Sequence, residues 1–395
     1  MPDMDTIARL LSWWPQVRRD PVAGGPPGRL VSLDAFRGLT IAGMLVVNNP
    51  GSWATIYAPL RHAEWHGWTP TDLIFPFFLF IVGVSMSFSL ARQIDAGTPR
   101  TVLMRRAAKR AAVIVLLGLL LHAFPDYTDL ATLRLPGVLQ RIGLAYLVAA
   151  PIVLGLSPRA RSLAVVALLL GYWALMTLVP VPGGAAGVLE PGQDLGAWID
   201  RQVFGTAHLW SQSRTWDPEG LLSTLPAIGT VLLGVFAGDW LRGTRSAFEK
   251  VAGLFVAGAA GLAAGAAWDA IFPINKSLWT SSYVLFTAGF ACQTLAVCYW
   301  LIDIHQRRRW ATPFVIFGTN AIAAFFLSSL FARVLTLVTV GSGSDAVALK
   351  TWLHQTWLAS WLPPKPASLV FALAYTGLWL AAMAVLYRRR IFLKV

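Results

Sequence analysis

Leu73-Ile-Phe-Pro-Phe-Phe-Leu-Phe-Ile-Val-Gly-Val84 decides the fold of this chain. The run holds no charge, and its apolar character continues to about residue 92. At about 1.5 Å per residue, such a helix crosses the roughly 30 Å hydrocarbon core of a bilayer. Directly ahead stands Arg61-His-Ala-Glu-Trp-His-Gly-Trp-Thr-Pro-Thr-Asp72, with two histidines and two carboxylates. The pairing predicts a helical span that carries reactive side chains at a membrane surface.

Working outward, the composition agrees with that reading. The chain has 395 residues, 56% hydrophobic and 13% charged, with a mean hydropathy of +0.60. Soluble domains carry about 25% charged residues. An all-α polytopic membrane protein follows, because in lipid a helix satisfies its own backbone polar groups. We expect about ten spans, roughly at 33–49, 70–92, 107–124, 137–156, 162–180, 219–241, 248–271, 280–303, 312–338 and 366–387. Residues 1–31 read as a cytoplasmic arm, partly an interfacial helix through Leu10, Leu11, Trp13 and Trp14, and 32–395 as the transmembrane domain. Residues 1–29 lack the apolar core of a signal peptide. No sequence repeat of fixed period is present.

Charge sets the orientation. With the N-terminus in the cytoplasm, the inside segments hold Arg92, Arg100, Arg105, Arg106, Lys109 and Arg110, then Arg159 and Arg161, then Arg242, Arg245 and Lys250. Arg307, Arg308 and Arg309 follow, and the tail adds Arg388, Arg389, Arg390 and Lys394. Most of the 32 basic residues therefore fall inside, with both termini cytoplasmic. The net charge of +13 thus records topology and not nucleic-acid binding. The outside segments hold most of the acids, and the largest runs over about 181–218. Cys292 and Cys298 share one apolar segment, which argues against a disulfide framework.

The chemistry-bearing residues divide by side. His62 and His66 are four apart, and with Glu64 and Asp72 they could hold a metal, but Gly67 and Pro70 break a continuous helix and no HExxH spacing occurs. The competing reading is a general base or nucleophile, for which imidazole suits neutral pH. Asp72 would fix the tautomer, or simply start the helix. Asn48, at the end of the first span, offers a C-cap amide or an oxyanion donor. Arg141, beside Gln140, lies inside an apolar run, where arginine faces a cavity or an anion. Arg37 is either a snorkelling residue or a cavity group. Arg106 and Arg110 share one face of the third span, as a positive-inside signal or a phosphate clamp. Asp217 and Glu219 flank Pro218 at the start of the sixth span, and Asn275 and Lys276 precede the eighth; each pair is a helix start or a substrate contact. Asn320, within the ninth span, is expected to pair with another helix.

Several blocks in order resemble the heparan-α-glucosaminide N-acetyltransferase family. They are Ser32-Leu-Asp-Ala-Phe-Arg-Gly38, His62-Ala-Glu-Trp65 with Thr71-Asp-Leu-Ile-Phe-Pro76, and Leu135-Pro-Gly-Val-Leu-Gln-Arg141. Then come Val181-Pro-Gly183, Ala197-Trp-Ile-Asp-Arg201, Asp217-Pro-Glu-Gly220, Pro273-Ile-Asn-Lys-Ser-Leu-Trp279 and the ending Tyr387-Arg-Arg-Arg-Ile-Phe-Leu-Lys394. The resemblance implies a transmembrane acyltransferase that moves an acetyl group from cytoplasmic acetyl-CoA to a glucosamine-type amine on the far side. By resemblance His62 falls on the catalytic histidine, supported by Asp72 and Asn48. Arg37, Arg106, Arg110, Gln140 and Arg141 become candidates for the CoA moiety, and Glu64, Asp217, Glu219, Asn275 and Lys276 for the amino sugar. His62 could carry the acetyl group or only accept a proton. No metal is implied. The short N-terminal arm, in place of the family's extra N-terminal span, implies a bacterial inner membrane. The implied partners are the lipid bilayer, the CoA thioester, the amino sugar and a second copy in a homodimer. An inner-membrane amino-sugar transporter is the rival reading.

Overall fold

The computed structural model describes residues 30–393. The expected interfacial helix of the N-terminal arm lies outside the described residues. Helices dominate: α1 (Val31–Asn48), α2 (Ile74–Asp95), α3 (Arg100–Ala123), α4 (Val138–Gly155) and α5 (Pro158–Leu178) come first. A short α6 (Leu195–Phe204) sits in the long connection before α7 (Thr224–Arg242). Then follow α8 (Ala247–Asp269), α9 (Ser281–Cys298), which runs on through a π-helical turn to Ile304, and α10 (Thr312–Thr319). The chain ends with α11 (Ala321–Leu337), α12 (Leu349–His354) and α13 (Pro364–Arg388). A two-stranded antiparallel ribbon, β1 (Thr339–Val340) with β2 (Val347–Ala348), links α11 to α12.

Among the described residues eight helices are long and apolar enough to cross a membrane, or nine spans if α10 and α11 count together. Each of the expected spans is helical. The segment 107–124 falls within α3, whose first half carries Arg105, Arg106, Lys109 and Arg110, so it is the least apolar of the set. The segment 312–338 is not straight: α10 and α11 meet at 73° across Asn320. Asn320 does not pair with a neighbouring helix as expected. Its Nδ2 donates to the Ile391 carbonyl at 3.1 Å, and its Oδ1 accepts from the Leu393 amide at 2.8 Å. The Asn320 side chain thus ties the bend to the segment that follows α13.

Burial separates an inner set of helices from an outer one. In α7, 72% of the spanning window is buried inside the protein, and in α1 and α4 61%; in α13 the share is 17% and in α5 and α8 22%. The outer helices leave the remainder on the surface of the bundle. Close approach within the bundle depends on small residues, as expected where apolar burial gives no preference for protein over lipid. A Cβ added at Gly234 of α7 would lie 2.0 Å from the Phe80 carbonyl oxygen of α2, and one at Gly83 1.9 Å from that of Val231. Gly38 of α1 and Gly318 of α10 meet in the same reciprocal way. Arg37 reinforces that contact. It donates to Asp34 at 2.9 Å, to the Gly318 carbonyl at 3.2 Å and to Ser85 at 2.7 Å, tying α1, α2 and α10 together.

Candidate active site

The site is assembled where α2 begins. Pro70, at the first position of the short turn Pro70–Leu73, needs no amide partner there. Asp72 closes a capping box with Thr69. Its Oδ2 accepts from the amides of Thr69 and Ala63, both at 3.0 Å, and from the Thr69 hydroxyl at 3.2 Å. Its other oxygen, Oδ1, lies 2.6 Å from His62 Nδ1. The Tyr283 hydroxyl of α9 donates to the Asp72 carbonyl. The two oxygens thus divide: one closes the helix start and the other faces the histidine. The carboxylate is almost fully buried, whereas the His62 side chain is 47% exposed.

A carboxylate can only accept, so His62 donates through Nδ1–H, and in the neutral imidazole the lone pair is then on Nε2. The buried acid thereby presents a basic nitrogen to whatever enters. Above the ring stands Lys276, whose Nζ is 3.3 Å from both Nδ1 and Nε2. Burial lowers the pKa of Lys276 below the ordinary lysine value, while the carboxylates of Glu219 and Asp72 pull it back up and Arg141 adds to the lowering.

The Lys276 loop is fixed to the His62 stretch from below. Gly67 has φ +92°, a conformation open to glycine, and its amide donates to the Ile274 carbonyl at 2.7 Å. Asn275 is fully buried; its Oδ1 accepts from Leu278 at 2.9 Å and its Nδ2 faces His66 Nδ1 at 3.3 Å. His66 is thereby held as an acceptor at Nδ1, away from the His62–Asp72 pair. Among the described residues no three His, Cys, Asp or Glu side chains gather to hold a metal. Trp279, in the left-handed region at φ +53°, turns its ring fully into the core against Phe75 and Tyr283.

Arg141 lies against that ring, with its guanidinium carbon 5.1 Å from the ring centroid. It donates to the Gly220 carbonyl at 3.2 Å and to the Ser223 hydroxyl. Its Nε and Nη1 are buried without a hydrogen-bond partner, as is Gln140 Oε1. Asp217 and Glu219 face Arg134, which donates to both oxygens of Asp217 at 2.8 and 2.6 Å and to Glu219 at 2.6 Å. Read from sequence as a helix start or a substrate contact, these two acids bind Arg134 in this structure. Asp200 of α6 accepts from the Leu221 amide at 2.8 Å. Burial, with the charges of Asp217 and Asp194, pushes its pKa up to about 7.

The long connection covers this corner. Trp65 donates to the Leu189 carbonyl at 2.8 Å and packs edge-on against Trp216 at 5.0 Å. Glu64 is exposed beside it. Asn48 makes no hydrogen bond to His62; it lines a separate pocket of about 180 Å³ with Met44, Leu45, Asn49, Ser328, Ser329 and Ala332. Arg106 and Arg110 lie in the first half of α3. Arg106 donates to Gln93 at 2.6 Å, and Arg110 sits 5.1 Å from the ring of Tyr146 on α4. Sequence reasoning missed Arg134 as a counter-ion and the Lys276–His62 contact. Both join segments far apart in the chain, and neither leaves a local signal.

Fold and site together define a polytopic helical membrane protein with a histidine–carboxylate pair at one mouth of its bundle. The family profile described as heparan-alpha-glucosaminide N-acetyltransferase, catalytic, matches residues 29–264, and the chain belongs to that family. It is 29% identical to human heparan-alpha-glucosaminide N-acetyltransferase over 423 aligned positions, covering 93% of this chain and 60% of the human protein. Against the mouse enzyme of the same name the identity is 28%, covering 96% and 62%. The chain thus spans about three-fifths of the length of these relatives.

Proposed function

We propose that this protein transfers an acetyl group from acetyl-CoA to the amine of a glucosamine-type sugar, with His62 as the base. The observation that carries the reading is the His62–Asp72 pair: Nδ1 held at 2.6 Å, Nε2 free, and the ring open to an entering substrate. An attacking amine must lose a proton as its nitrogen bonds to the acyl carbon, and Nε2 is the acceptor for that proton. The same lone pair could carry the acetyl group as an acyl-imidazole, which would need a site that excludes water. Trp65, Trp216 and the connection around α6 supply cover on that side.

The donor is read as entering from the arginine-rich face, taken as cytoplasmic, and the sugar as arriving from the outer face of a bacterial inner membrane. Arg106, Arg110 and Arg141 support this path. Tyr146 lies beside Arg110, so along the α3–α4 pair the three guanidiniums extend over about 14 Å, by helical rise. An elongated anion fits such a file, and the unpartnered Nε and Nη1 of Arg141 offer it donors. Asn48 would polarise the thioester carbonyl from the neighbouring pocket, and a homodimer remains part of the expectation.

Purified protein given labelled acetyl-CoA and glucosamine should form N-acetylglucosamine. His62→Ala should lower the rate by roughly 10²–10⁴-fold. Transfer that survives His62→Ala would sink the assignment. Sugar uptake into proteoliposomes without acetyl-CoA, and no acetylation, would establish the transporter instead.

A further inference from the structure

We propose that Lys276 is an electrophilic group of this site, its ammonium receiving the negative charge that develops on the acyl oxygen as an amine attacks beside His62 Nε2. The inference rests on the acyl-transfer reading above and assigns it a residue and a step.

Geometry carries it. Lys276 Nζ is equally far, 3.3 Å, from Nδ1 and Nε2. A point in the ring plane at that distance from both would collide with the carbon between them, so Nζ stands over the ring face. It is therefore not taking up the lone pair of Nε2, which stays in the plane and free. An ammonium has three donors. Among the described residues its polar contacts are these ring nitrogens, and no carboxylate forms a salt bridge with it. Donors are left over, within one atom's reach of the place where the acyl group must sit. The loop holds the ammonium there through buried Asn275 on one side and buried Trp279 on the other, so little reorganisation is needed. Preorganised donors aimed at developing charge are a large catalytic effect.

The same position makes Lys276 a poor holder of the sugar. A protonated amino sugar beside an ammonium is repelled, whereas the neutral amine that reacts is not. In the step itself, the amine nitrogen bonds to the thioester carbon and the carbonyl pair moves onto oxygen, where a Lys276 N–H donates to it. The amine proton passes to His62 Nε2. The oxyanion collapses, the carbon–sulfur bond breaks with its pair on sulfur, and His62 returns the proton to the thiolate. Lys276 keeps its proton throughout.

The test uses the full chain in detergent, with kcat and KM measured for acetyl-CoA and glucosamine. Lys276→Met should lower kcat on the order of 10²–10³-fold, with each KM within about threefold of wild type. Lys276→Cys should be equally slow, and alkylation with 2-bromoethylamine, which rebuilds an ammonium at that reach, should restore at least about tenfold. Methanethiosulfonate capping, which adds no charge, should restore nothing. An unchanged kcat with a raised KM for glucosamine would overturn the proposal in favour of sugar binding. Slow Lys276→Cys that aminoethylation leaves slow would also overturn it. These outcomes presuppose an active wild type; an inactive wild type removes the acyl-transfer reading and this proposal with it.

Discussion

Asp72 divides its two oxygens between the backbone at a helix start and a neighbouring imidazole. Its Oδ2 is committed to the Thr69 and Ala63 amides, and its Oδ1 to His62. Asp72→Asn separates the two duties. The amide oxygen keeps the backbone contacts, so the helix start and the melting temperature should change little. The amide nitrogen then donates to His62 Nδ1, which moves the ring proton to Nε2 and removes the free base. Acetyl transfer should fall by about 10²–10⁴-fold, as expected for a lost general base. A variant that retains wild-type kcat would show that Asp72 does no more than begin the helix. The residue types were legible in sequence: a histidine and an acid close together ahead of an apolar run. Lys276 over the ring was not, because it comes from a loop more than two hundred residues on, and chain distance carries no record of spatial contact. Arg134 was hidden for the same reason, since Asp217 and Glu219 read locally as a helix start.

Among the elements, α2 and α7 meet at Gly83 and Gly234, where backbone touches backbone. Gly234→Ala forces a methyl group into the Phe80 carbonyl, so the helices must separate or bend. The loss should be at least about 1–3 kcal/mol, the usual cost of overpacking, seen as a lowered melting temperature in detergent. Gly171→Ala on outer α5 meets nothing within 4 Å and should be tolerated. Equal melting temperatures for the two variants would contradict the packing described. Nearly every span was readable from hydropathy, because a helix in lipid must be apolar whatever it packs against. The bend at Asn320 was not. An amide within an apolar run has several ways to find a partner, and the one it takes lies past the last span.

For the molecule as a whole, charge alternation along the chain is the strongest statement of orientation, and it can be tested directly. We expect Glu64→Cys in a bacterial host to react with a membrane-impermeant thiol reagent in intact cells. Arg100→Cys, at the start of α3, should react only after lysis; Cys292 and Cys298 are buried and should stay silent in both. The reverse pattern would invert the topology and place His62 in the cytoplasm.

The side-chain tie at Asn320 also bears on how the chain is made. Its two partners, Ile391 and Leu393, are synthesised about seventy residues after it. The backbone at the bend does not wait for them, since the Asn320 amide donates to the Phe317 carbonyl and its own carbonyl accepts from the Ala324 amide. Only the side-chain amide does, so the order of synthesis leaves a buried polar group at the bend to be satisfied last, by the segment after α13.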